Sequence, residues 1–258
     1  MKQSKTNFSI VIITFNEEKI IEKCIAAAIK VSSDVIIVDS FSNDNTKAIC
    51  TKFSEVNFVE QKWLGYSAQK NFGNEQSKND WILSLDADEI LSKETITFLN
   101  KISLEDNNLV YKINRLNNYC GKWIKHGRWY PEWRNRLFNK KLVQWNGDLV
   151  HEDLEAKKGT LKKDFIFKKI EGDVFHYSMQ SKHEHIEKAK QYAKLSAAKL
   201  FAKNKPASLV KRFLSPVSRF LVDYFIKLGF LDGTLGFQIA KISAYETYLK
   251  YKLLQDKY

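Results

Sequence analysis

The chain has 258 residues, of which 44% are apolar, so it is long enough and apolar enough to fold around a sizeable core. Its net charge of +12 is uneven, because residues 1–100 hold 11 Lys and no Arg against 14 acidic residues, whereas residues 101–258 hold 31 basic and 16 acidic residues. This asymmetry suits nucleic acid, anionic lipid or a phosphorylated substrate, and charge alone does not choose among them. The acidic first part argues against nucleic acid.

Cysteine spacing and hydropathy predict where the protein works. Cys24, Cys50 and Cys120 are odd in number and widely spaced, which favours reduced thiols and the cytoplasm. The apolar run near the N-terminus ends at Asn16 and two glutamates rather than at small residues, so it predicts a strand and not a signal peptide. The sequence has no uninterrupted run of about 18 apolar residues, so we expect any membrane contact to be peripheral.

Short β-branched apolar runs alternate with segments of helical periodicity in the first hundred residues. The runs span residues 9–14, 34–40, 56–60 and 81–85. This alternation predicts βαβ units around a parallel sheet, and therefore an α/β fold. Apolar residues at three- to four-residue spacing from Ile20 to Ile29 predict the first helix, with Asn16 as its cap.

The rest of the chain predicts two further regions. Aromatic, basic and turn-forming residues with strand-like stretches at 109–113, 136–139 and 165–170 predict antiparallel strands joined by long loops. Helices are predicted at 182–203, 208–228 and 234–254. We therefore expect a catalytic domain over residues 1–178, with halves at 1–105 and 106–178, followed by a helical region over 179–258.

Acidic residues end two of the predicted parallel strands. Asp86 and Asp88 follow the run at 81–85, so we expect both carboxylates on one side of an extended chain. Asp39 ends the run at 34–40, and ligands bind at the carboxyl ends of such strands. Mg²⁺ or Mn²⁺ on a diphosphate needs only one or two carboxylates, because phosphate and water complete its shell. The alternative for each acid is an ordinary turn or cap residue.

Four segments, SIVIITFNEE, VDSFSNDNT, WLGYSAQKN and LSLDADE, occur in this order within residues 8–90. In this order they resemble the signature of family 2 glycosyltransferases with the GT-A fold. The later segments NGDLVHEDL, GDVFHYS and GFLDGTLGF extend the resemblance over nearly the whole chain. Within the family the chain is most similar to lipopolysaccharide-core glycosyltransferases of the WaaE/KdtX type.

The resemblance implies that a sugar nucleotide binds at the strand ends. It assigns the following roles: Thr14, Asn16 and Glu17 near the nucleotide, Asp39 at the base, Lys70 near the nucleotide or phosphate, Asp86 at the ribose, and Asp88 on a divalent cation, Mg²⁺ or Mn²⁺. A late histidine completes the metal or phosphate shell in related enzymes, and His176 follows a strand at a fitting place. The alternatives are a solvated helix lysine for Lys70 and a structural histidine for His176.

Transfer with inversion needs a base that takes the proton of the acceptor hydroxyl. Glu152 and Asp153, in the segment VHEDL, are the candidates. Glu152 is the preferred one, and the order between the two stays open. The alternative is that both belong to an exposed loop without a catalytic role.

A basic and aromatic segment between residues 123 and 136 offers cations for phosphates and flat rings for sugars. Arg134 and Arg136 are assigned to the phosphate or acceptor, and Trp63 is placed with them. His176 and Arg136 are also candidates for offsetting the charge of the departing diphosphate. The alternative is an ordinary basic surface with the tryptophans in the core.

An apolar stripe runs from Val210 to Leu228 and is flanked by Lys211, Arg212, Arg219 and Lys227. Such a stripe predicts a helix at the surface of an anionic membrane, or a helix that packs on the domain. The sequence does not decide between the two.

Together with these patterns, the resemblance implies an inverting, metal-dependent hexosyltransferase that moves glucose from UDP-glucose to a lipopolysaccharide-core or related surface glycan, on the cytoplasmic face of the inner membrane. Capsule, exopolysaccharide or another glycolipid are alternative acceptors, and a basic nucleic-acid-binding protein is the distant alternative. A nucleotidyltransferase is disfavoured because residues 14–19 lack a Gly-rich loop. A processive synthase is disfavoured because the sequence lacks membrane spans and a QxxRW-like motif.

Overall fold

A computed structural model describes residues 7–147, 153–158, 165–206 and 208–256. The first part alternates strands with helices: β1 (Phe8–Thr14), α1 (Ile21–Ala28), β2 (Val35–Asp39), α2 (Thr46–Cys50), β3 (Val56–Glu60), α3 (Tyr66–Gln76), β4 (Trp81–Asp86), β5 (Glu89–Leu91) and α4 (Lys93–Leu99). Strands follow: β6 (Leu109–Tyr119), β7 (Lys122–Trp123), β8 (Glu132–Asn139), β9 (Val143–Asn146), β10 (Asp153–Ala156) and β11 (Ile166–Met179). The last part is helical: α5 (Lys182–Ala202), α6 (Leu209–Leu221), a π-helical segment (Val222–Ile226), a 3₁₀ segment (Gly229–Asp232) and α7 (Gly233–Gln255).

The chain divides into two compact units. Unit 1 comprises Met1–Arg115 and Trp133–His176, and unit 2 comprises Leu116–Glu132 and Tyr177–Tyr258. Leu116–Glu132 therefore groups with the C-terminal helices. The domain limits predicted from the sequence, at residues 105 and 178, stay a prediction.

A mixed sheet has the strand order β3-β2-β1-β4-β8-β6-β11-β5. Strands β3, β2, β1 and β4 are parallel, whereas β8 is antiparallel to β4 and β5 is antiparallel to β11. Every residue of β1 and β2 is buried, as expected for parallel strands that are covered on both faces. The predicted α/β fold with a C-terminal helical region is confirmed.

Alternate residues of the central strands enter two separate apolar cores in unit 1. Ile10 and Leu83 pack with α1 residues in one core, and Val11, Val38 and Ile82 form the other. Helix α3 lies close to this second core because Gly73 has no side chain: a Cβ there would lie 2.5 Å from Cγ1 of Val11. This close approach fixes α3, and with it the position of Lys70.

The start of α1 differs from the prediction. Helix α1 begins at Ile21, and the preceding Ile20 gives no side-chain cap, so the prediction of Asn16 as the cap was wrong. Asn16 has a φ of 56°, a left-handed conformation that asparagine tolerates. Its Oδ1 accepts a hydrogen bond from the backbone N–H of Asn43 at 2.9 Å, so the side chain serves the loop after β2 instead.

The antiparallel strands predicted after residue 106 are present, with different bounds. β6 and β11 are 11 and 14 residues long and extend well beyond the predicted stretches. Two short hairpin strands, β9 and β10, pair antiparallel and were not predicted. Each strand has only four residues, and some of these are polar. Neither strand therefore contains the longer apolar run from which strands were predicted.

The predicted helix at 208–228 is interrupted in unit 2. Helix α6 contains Pro216 and ends at Leu221, where a π-helical segment begins. A Cβ at Gly229 would lie 2.6 Å from the backbone oxygen of Asp223, so the chain turns back too tightly for a continuous helix. Among the described residues, no helix has both the length and the apolar character needed to cross a bilayer.

Ion pairs hold the first segment of unit 2 onto its helices. Asp223 is buried and accepts hydrogen bonds from Arg128 and, at 2.7 Å, from Arg219. Asp232 accepts from the backbone N–H of His126 at 2.9 Å, and its Oδ1 lies 3.0 Å from His126 Nδ1. His126 and Arg128 lie in the segment that was predicted from the sequence to bind the acceptor. Their contacts with Asp232 and Asp223 give them a structural role.

An aromatic cluster in unit 2 contains a buried histidine. His185 Nδ1 lies 3.2 Å from the hydroxyl of Tyr119, and the His185 ring contacts the rings of Tyr119 and Trp129. Burial lowers the pKa of His185 from 6.5 to about 4, with a further lowering from the charge of Lys188. The imidazole is therefore neutral in the folded protein at pH 7.

We expect this histidine to make the protein less stable in acid. The pKa of His185 is lower in the folded than in the unfolded state, so its contribution to stability is complete above pH 6.5 and is lost as the pH falls towards 4. Between pH 7 and 4.5 the loss is about 2 kcal/mol. We would measure thermal unfolding at pH 7 and at pH 4.5. The stability of His185→Gln should fall less between these two values of pH than the stability of the wild type. His183→Gln, on the exposed side of α5, is the control and should behave as the wild type.

Candidate active site

The ends of three parallel strands bring together residues that the sequence singled out. Thr14 at the end of β1 lies opposite Asp39 at the end of β2, and Ile13 lies opposite Asp86 at the end of β4. Asp39, Thr14 and Asp86 therefore line one edge of the sheet in unit 1. The buried hydroxyl of Thr14 has no hydrogen-bond partner among the described residues.

The loops that follow β1 and β2 are tied to each other. Asp39 is fully buried and accepts hydrogen bonds from the backbone N–H of Ser42, at 2.7 Å, and from the Ser42 hydroxyl. Ser42 Oγ accepts from the backbone N–H of Asn16 at 2.8 Å, and Thr46 Oγ1 accepts from that of Glu17 at 2.9 Å. The residues predicted to lie near the nucleotide thus belong to one rigid loop pair, which Asp39 holds.

A cluster of buried charges lies at the end of β4. Asp86 accepts a hydrogen bond from Arg136 Nη2 at 2.9 Å and forms an ion pair with Lys70 Nζ at 3.0 Å. Arg136 also pairs with Glu89, which is fully buried and lies 3.7 Å from Arg115. In the described part of the chain, this cluster joins three cations to two carboxylates.

Accessibility differs sharply within this charge cluster. The Lys70 side chain is 4% exposed, whereas the Asp86 side chain is 28% exposed. Burial disfavours the ionised form of Asp86, but the nearby charges of Arg136 and Lys70 outweigh it and hold the pKa of this carboxyl well below its usual range. Asp86 is therefore an ionised carboxylate that can accept a hydrogen bond from a ligand. The buried cations Lys70 and Arg136 stabilise its negative charge.

Lys70 is buried on α3 and pairs with Asp86 at the end of β4, and its role near the nucleotide or phosphate stays a prediction. Helix α3 presents Lys70 on its buried side, and the ammonium lies 4.9 Å from the ring centre of Trp145. The Trp145 backbone exchanges hydrogen bonds with the Asn71 side chain at 2.8 and 2.9 Å, which fixes β9 against α3. The alternative prediction, a solvated helix lysine, was wrong.

Asp88 follows Asp86 in a turn between β4 and β5, so the prediction of an extended chain through both residues was wrong. Asp88 Oδ2 lies 3.2 Å from His176 Nε2, and both side chains are partly exposed, at 28% and 14%. Within the described residues, no group of three or more His, Cys, Asp or Glu side chains forms a metal site. Asp88 and His176 thus form a close pair, and the metal site predicted at Asp88 stays a prediction.

The structure describes one of the two candidates for the base, Asp153. Glu152 lies outside the described residues. Asp153 begins β10, where its Oδ1 accepts hydrogen bonds from the backbone N–H of Leu154, at 2.9 Å, and from Asn135 Nδ2, at 3.3 Å. Asp153 is exposed and belongs to unit 1 together with β4 and β8.

The residues predicted to bind the phosphate or acceptor differ in burial, and their role stays a prediction. Arg136 is buried in the charge cluster, whereas Arg134, two residues earlier on β8, is exposed. Trp63 is 44% exposed and contacts Tyr66 edge to face, so its alternative as a core residue was wrong. The remaining basic and aromatic residues between 116 and 132 belong to unit 2.

Sequence reasoning missed two charged members of the cluster. Glu89 follows Asp88 directly, and its Oε2 accepts a hydrogen bond from the backbone N–H of Asp86 at 3.0 Å. Arg115 comes from β6, far along the chain. The sequence offered one signal for Glu89, which is a charged residue at the start of an apolar strand, as in DADEIL. It offered no such signal for Arg115.

Comparison with known proteins identifies the family. The sequence model of glycosyl transferase family 2 matches residues 9–167. An uncharacterized glycosyltransferase of Rickettsia typhi is 31% identical over 96% of this chain and 86% of its own length. The lipopolysaccharide core biosynthesis glycosyltransferase LpsC of Rhizobium meliloti is 25% identical over 96% of this chain and 94% of its own length.

Among solved structures, S. aureus TarS 1–349 in complex with UDP-GlcNAc aligns with a TM-score of 0.48 and 17% identity, over 93% of this chain and 79% of TarS. The family match covers more than half of the chain and includes the three strand ends and the charge cluster at β4. The chain therefore belongs to glycosyl transferase family 2, with the GT-A fold that its sequence predicted.

Proposed function

We propose that this protein is an inverting, metal-dependent hexosyltransferase that uses a UDP-sugar, with UDP-glucose as the first donor to test. The observation that carries the proposal is the cluster of Lys70, Asp86 and Arg136 at the end of β4. It combines an accessible carboxylate, which accepts hydrogen bonds from a ribose, with buried cations that attract a diphosphate. The adjacent Thr14 and Asp39 complete the side of the site that would face the nucleotide.

The chemistry is one displacement at the anomeric carbon. The acceptor hydroxyl oxygen forms a bond to that carbon while the bond from the carbon to the β-phosphate oxygen breaks, and its electron pair leaves with UDP. The hydroxyl proton goes to a carboxylate, for which Glu152 and Asp153 are the candidates. The hydrogen bonds from Asn135 and the Leu154 backbone hold the Asp153 carboxylate in one orientation.

Asp88 and His176 fit a divalent cation. They offer an oxygen and a nitrogen 3.2 Å apart, and diphosphate oxygens and water supply the remaining ligands in such sites. When bound there, the cation offsets the charge of the departing diphosphate. Asp86 is assigned to the ribose instead, because each of its oxygens keeps a lone pair for a further hydrogen bond beside its contact with Arg136 or Lys70.

The acceptor we propose is a lipopolysaccharide-core or related lipid-linked glycan. LpsC, a relative over nearly the whole chain, is described as acting in lipopolysaccharide core biosynthesis, which supports this class. A lipid-linked acceptor and a cytoplasmic sugar nucleotide meet at the cytoplasmic face of the inner membrane, so we place the protein there as a peripheral protein. Capsule or exopolysaccharide precursors are the alternative acceptors.

The test is release of nucleotide from UDP-, GDP-, ADP- and CMP-sugars, with Mn²⁺, Mg²⁺ or EDTA, and with lipopolysaccharide or a lipid extract as acceptor. We expect release of UDP from one donor, dependent on metal and increased by acceptor. Binding of UDP without release with any acceptor would contradict the proposed acceptors. A protein that binds no nucleotide, yet retains RNA in a salt-sensitive way, would contradict the proposed transfer itself.

Two conservative variants separate the candidate bases. Glu152→Gln and Asp153→Asn keep size and hydrogen bonding but cannot take a proton. We expect one of them to lose transfer by roughly a hundredfold or more while it still binds UDP. Glu155→Gln, on the same strand as Asp153, is the control and should transfer at the normal rate. Equal activity in all three variants would exclude both candidates.

A further inference from the structure

Unit 2 carries a large exposed apolar surface, which we call the α6 surface. It is formed by one helix and the two segments that follow it, and its members are between 42% and 74% exposed: Leu209, Val210, Phe213, Leu214, Val217, Leu221, Phe225, Ile226, Leu228, Phe230 and Leu231. Monomeric proteins in water seldom expose so many large apolar side chains together. This surface therefore needs a partner.

Helix α6 is oriented opposite to an ordinary surface helix. Its exposed apolar residues span an arc of roughly 140° at 3.6 residues per turn. Its polar side faces the protein: Arg212 donates to Gln255 Oε1 at 3.0 Å and to the Tyr248 hydroxyl at 2.7 Å, and Arg219 donates to Asp223 at 2.7 Å. A helix that only packs on its domain would bury the apolar side.

Charge identifies the partner. The segment from Lys199 to Leu231 contains seven basic residues and one acidic residue, Asp223, which is buried and paired with arginines. Lys203, Lys205, Lys211 and Lys227 are exposed around the apolar side chains. Two copies of this surface would repel each other, whereas an anionic lipid headgroup is attracted to it.

We propose that the α6 surface inserts its apolar side chains into the headgroup region of a bilayer that contains anionic phospholipid, with the surrounding lysines on the headgroups. Apolar burial and electrostatic attraction act together in such binding, and a short helix lying in the interface is enough for it. The inference deepens the proposed function by assigning its membrane contact to named residues. It rests on that function only for the choice of the cytoplasmic face.

The test is flotation of the full chain with vesicles of phosphatidylcholine alone or mixed with phosphatidylglycerol. We expect flotation with the mixture, weaker flotation with phosphatidylcholine, and a decrease as salt rises. Leu214→Ser/Val217→Ser should lower the vesicle-bound fraction at least roughly tenfold. Lys211→Glu/Lys227→Glu should remove the preference for phosphatidylglycerol.

Ile166→Ser/Phe167→Ser is the matched control, because it removes two exposed apolar side chains from unit 1. It should float as the wild type does. All variants change exposed side chains, so unchanged circular dichroism and thermal unfolding are expected and show that the fold is kept. UDP release, measured on the same preparations without vesicles, should not change, so failure of lipid binding and failure of sugar transfer are read separately.

Three results would overturn the inference. The first is a wild type that does not float with either kind of vesicle. The second is a Leu214→Ser/Val217→Ser variant that floats as well as the wild type. The third is a wild-type dimer that binds no vesicles and that Leu214→Ser/Val217→Ser converts to a monomer. That third result would assign the α6 surface to a second copy of the chain.

Discussion

Asp88→Asn lowers kcat for sugar transfer by roughly a hundredfold or more, and this is the largest catalytic effect we expect of a single substitution. Asp88 Oδ2 lies 3.2 Å from His176 Nε2, and both side chains are partly exposed. Asparagine keeps the shape of the side chain but removes the charge that would hold a divalent cation. The loss should therefore fall on the departure of the diphosphate, while the fold is kept.

The measurement is the initial rate of UDP release over a titration with Mn²⁺, with thermal unfolding as the check on folding. Asp80→Asn is the matched control, since Asp80 precedes the opposite end of β4 and pairs with Lys141 at 2.7 Å on the surface. The control should keep the wild-type rate and metal dependence. An Asp88→Asn protein with the wild-type rate and the same Mn²⁺ requirement would show that the cation binds elsewhere.

The strand ends of the site were predictable because they follow local rules. β1, β2 and β4 are nearly continuous apolar runs, and the residue at which each run ends is the residue that reaches the edge of the sheet. For this reason Asp39 and Asp86 were both placed correctly at strand ends. The role of Lys70 near the nucleotide or phosphate is implied only by the resemblance and stays a prediction.

The partners of these residues were not predictable, because they depend on distant parts of the chain. Arg136 reaches Asp86 across 50 residues of sequence, and Glu89 across 47. Their pairing requires β8 to lie beside β4 in one particular register, and no local pattern gives that register. The turn at Asp88 was missed for a similar reason, since β5 pairs with the late strand β11.

The orientation of the apolar stripe on α6 was also not predictable from the sequence. Its spacing was visible in the sequence, but the sequence gives only the existence of an apolar side and not the direction in which it faces. The contacts of Arg212 with α7 settle that direction, because they fix the polar side of the helix against the protein. The interruption after Leu221 depends on the tight approach of Gly229 to Asp223, which is also a contact between separate turns.

Arg136→Met should cause the largest loss of stability, about 3–5 kcal/mol in the free energy of unfolding. The substitution leaves Glu89 fully buried with Arg115 at 3.7 Å as its remaining cation in the cluster. It also raises the pKa of Asp86, because Arg136 is the largest influence that lowers it. Arg134→Met, two residues away on the same strand and exposed, should cost less than about 1 kcal/mol and is the control.

The second substitution Glu89→Gln separates an unpaired charge from lost packing. If the cost of Arg136→Met comes from the buried carboxylate, then Arg136→Met/Glu89→Gln should recover most of the stability, because neither side chain then needs a counter-charge. If it comes from the missing guanidinium contacts, the double variant should be as unstable as the single one. Urea unfolding at pH 7 distinguishes the two. Recovery of stability without recovery of sugar transfer would mean that Arg136 serves the substrate as well as the fold. We expect this outcome because Arg136 contacts both the accessible Asp86 and the buried Glu89.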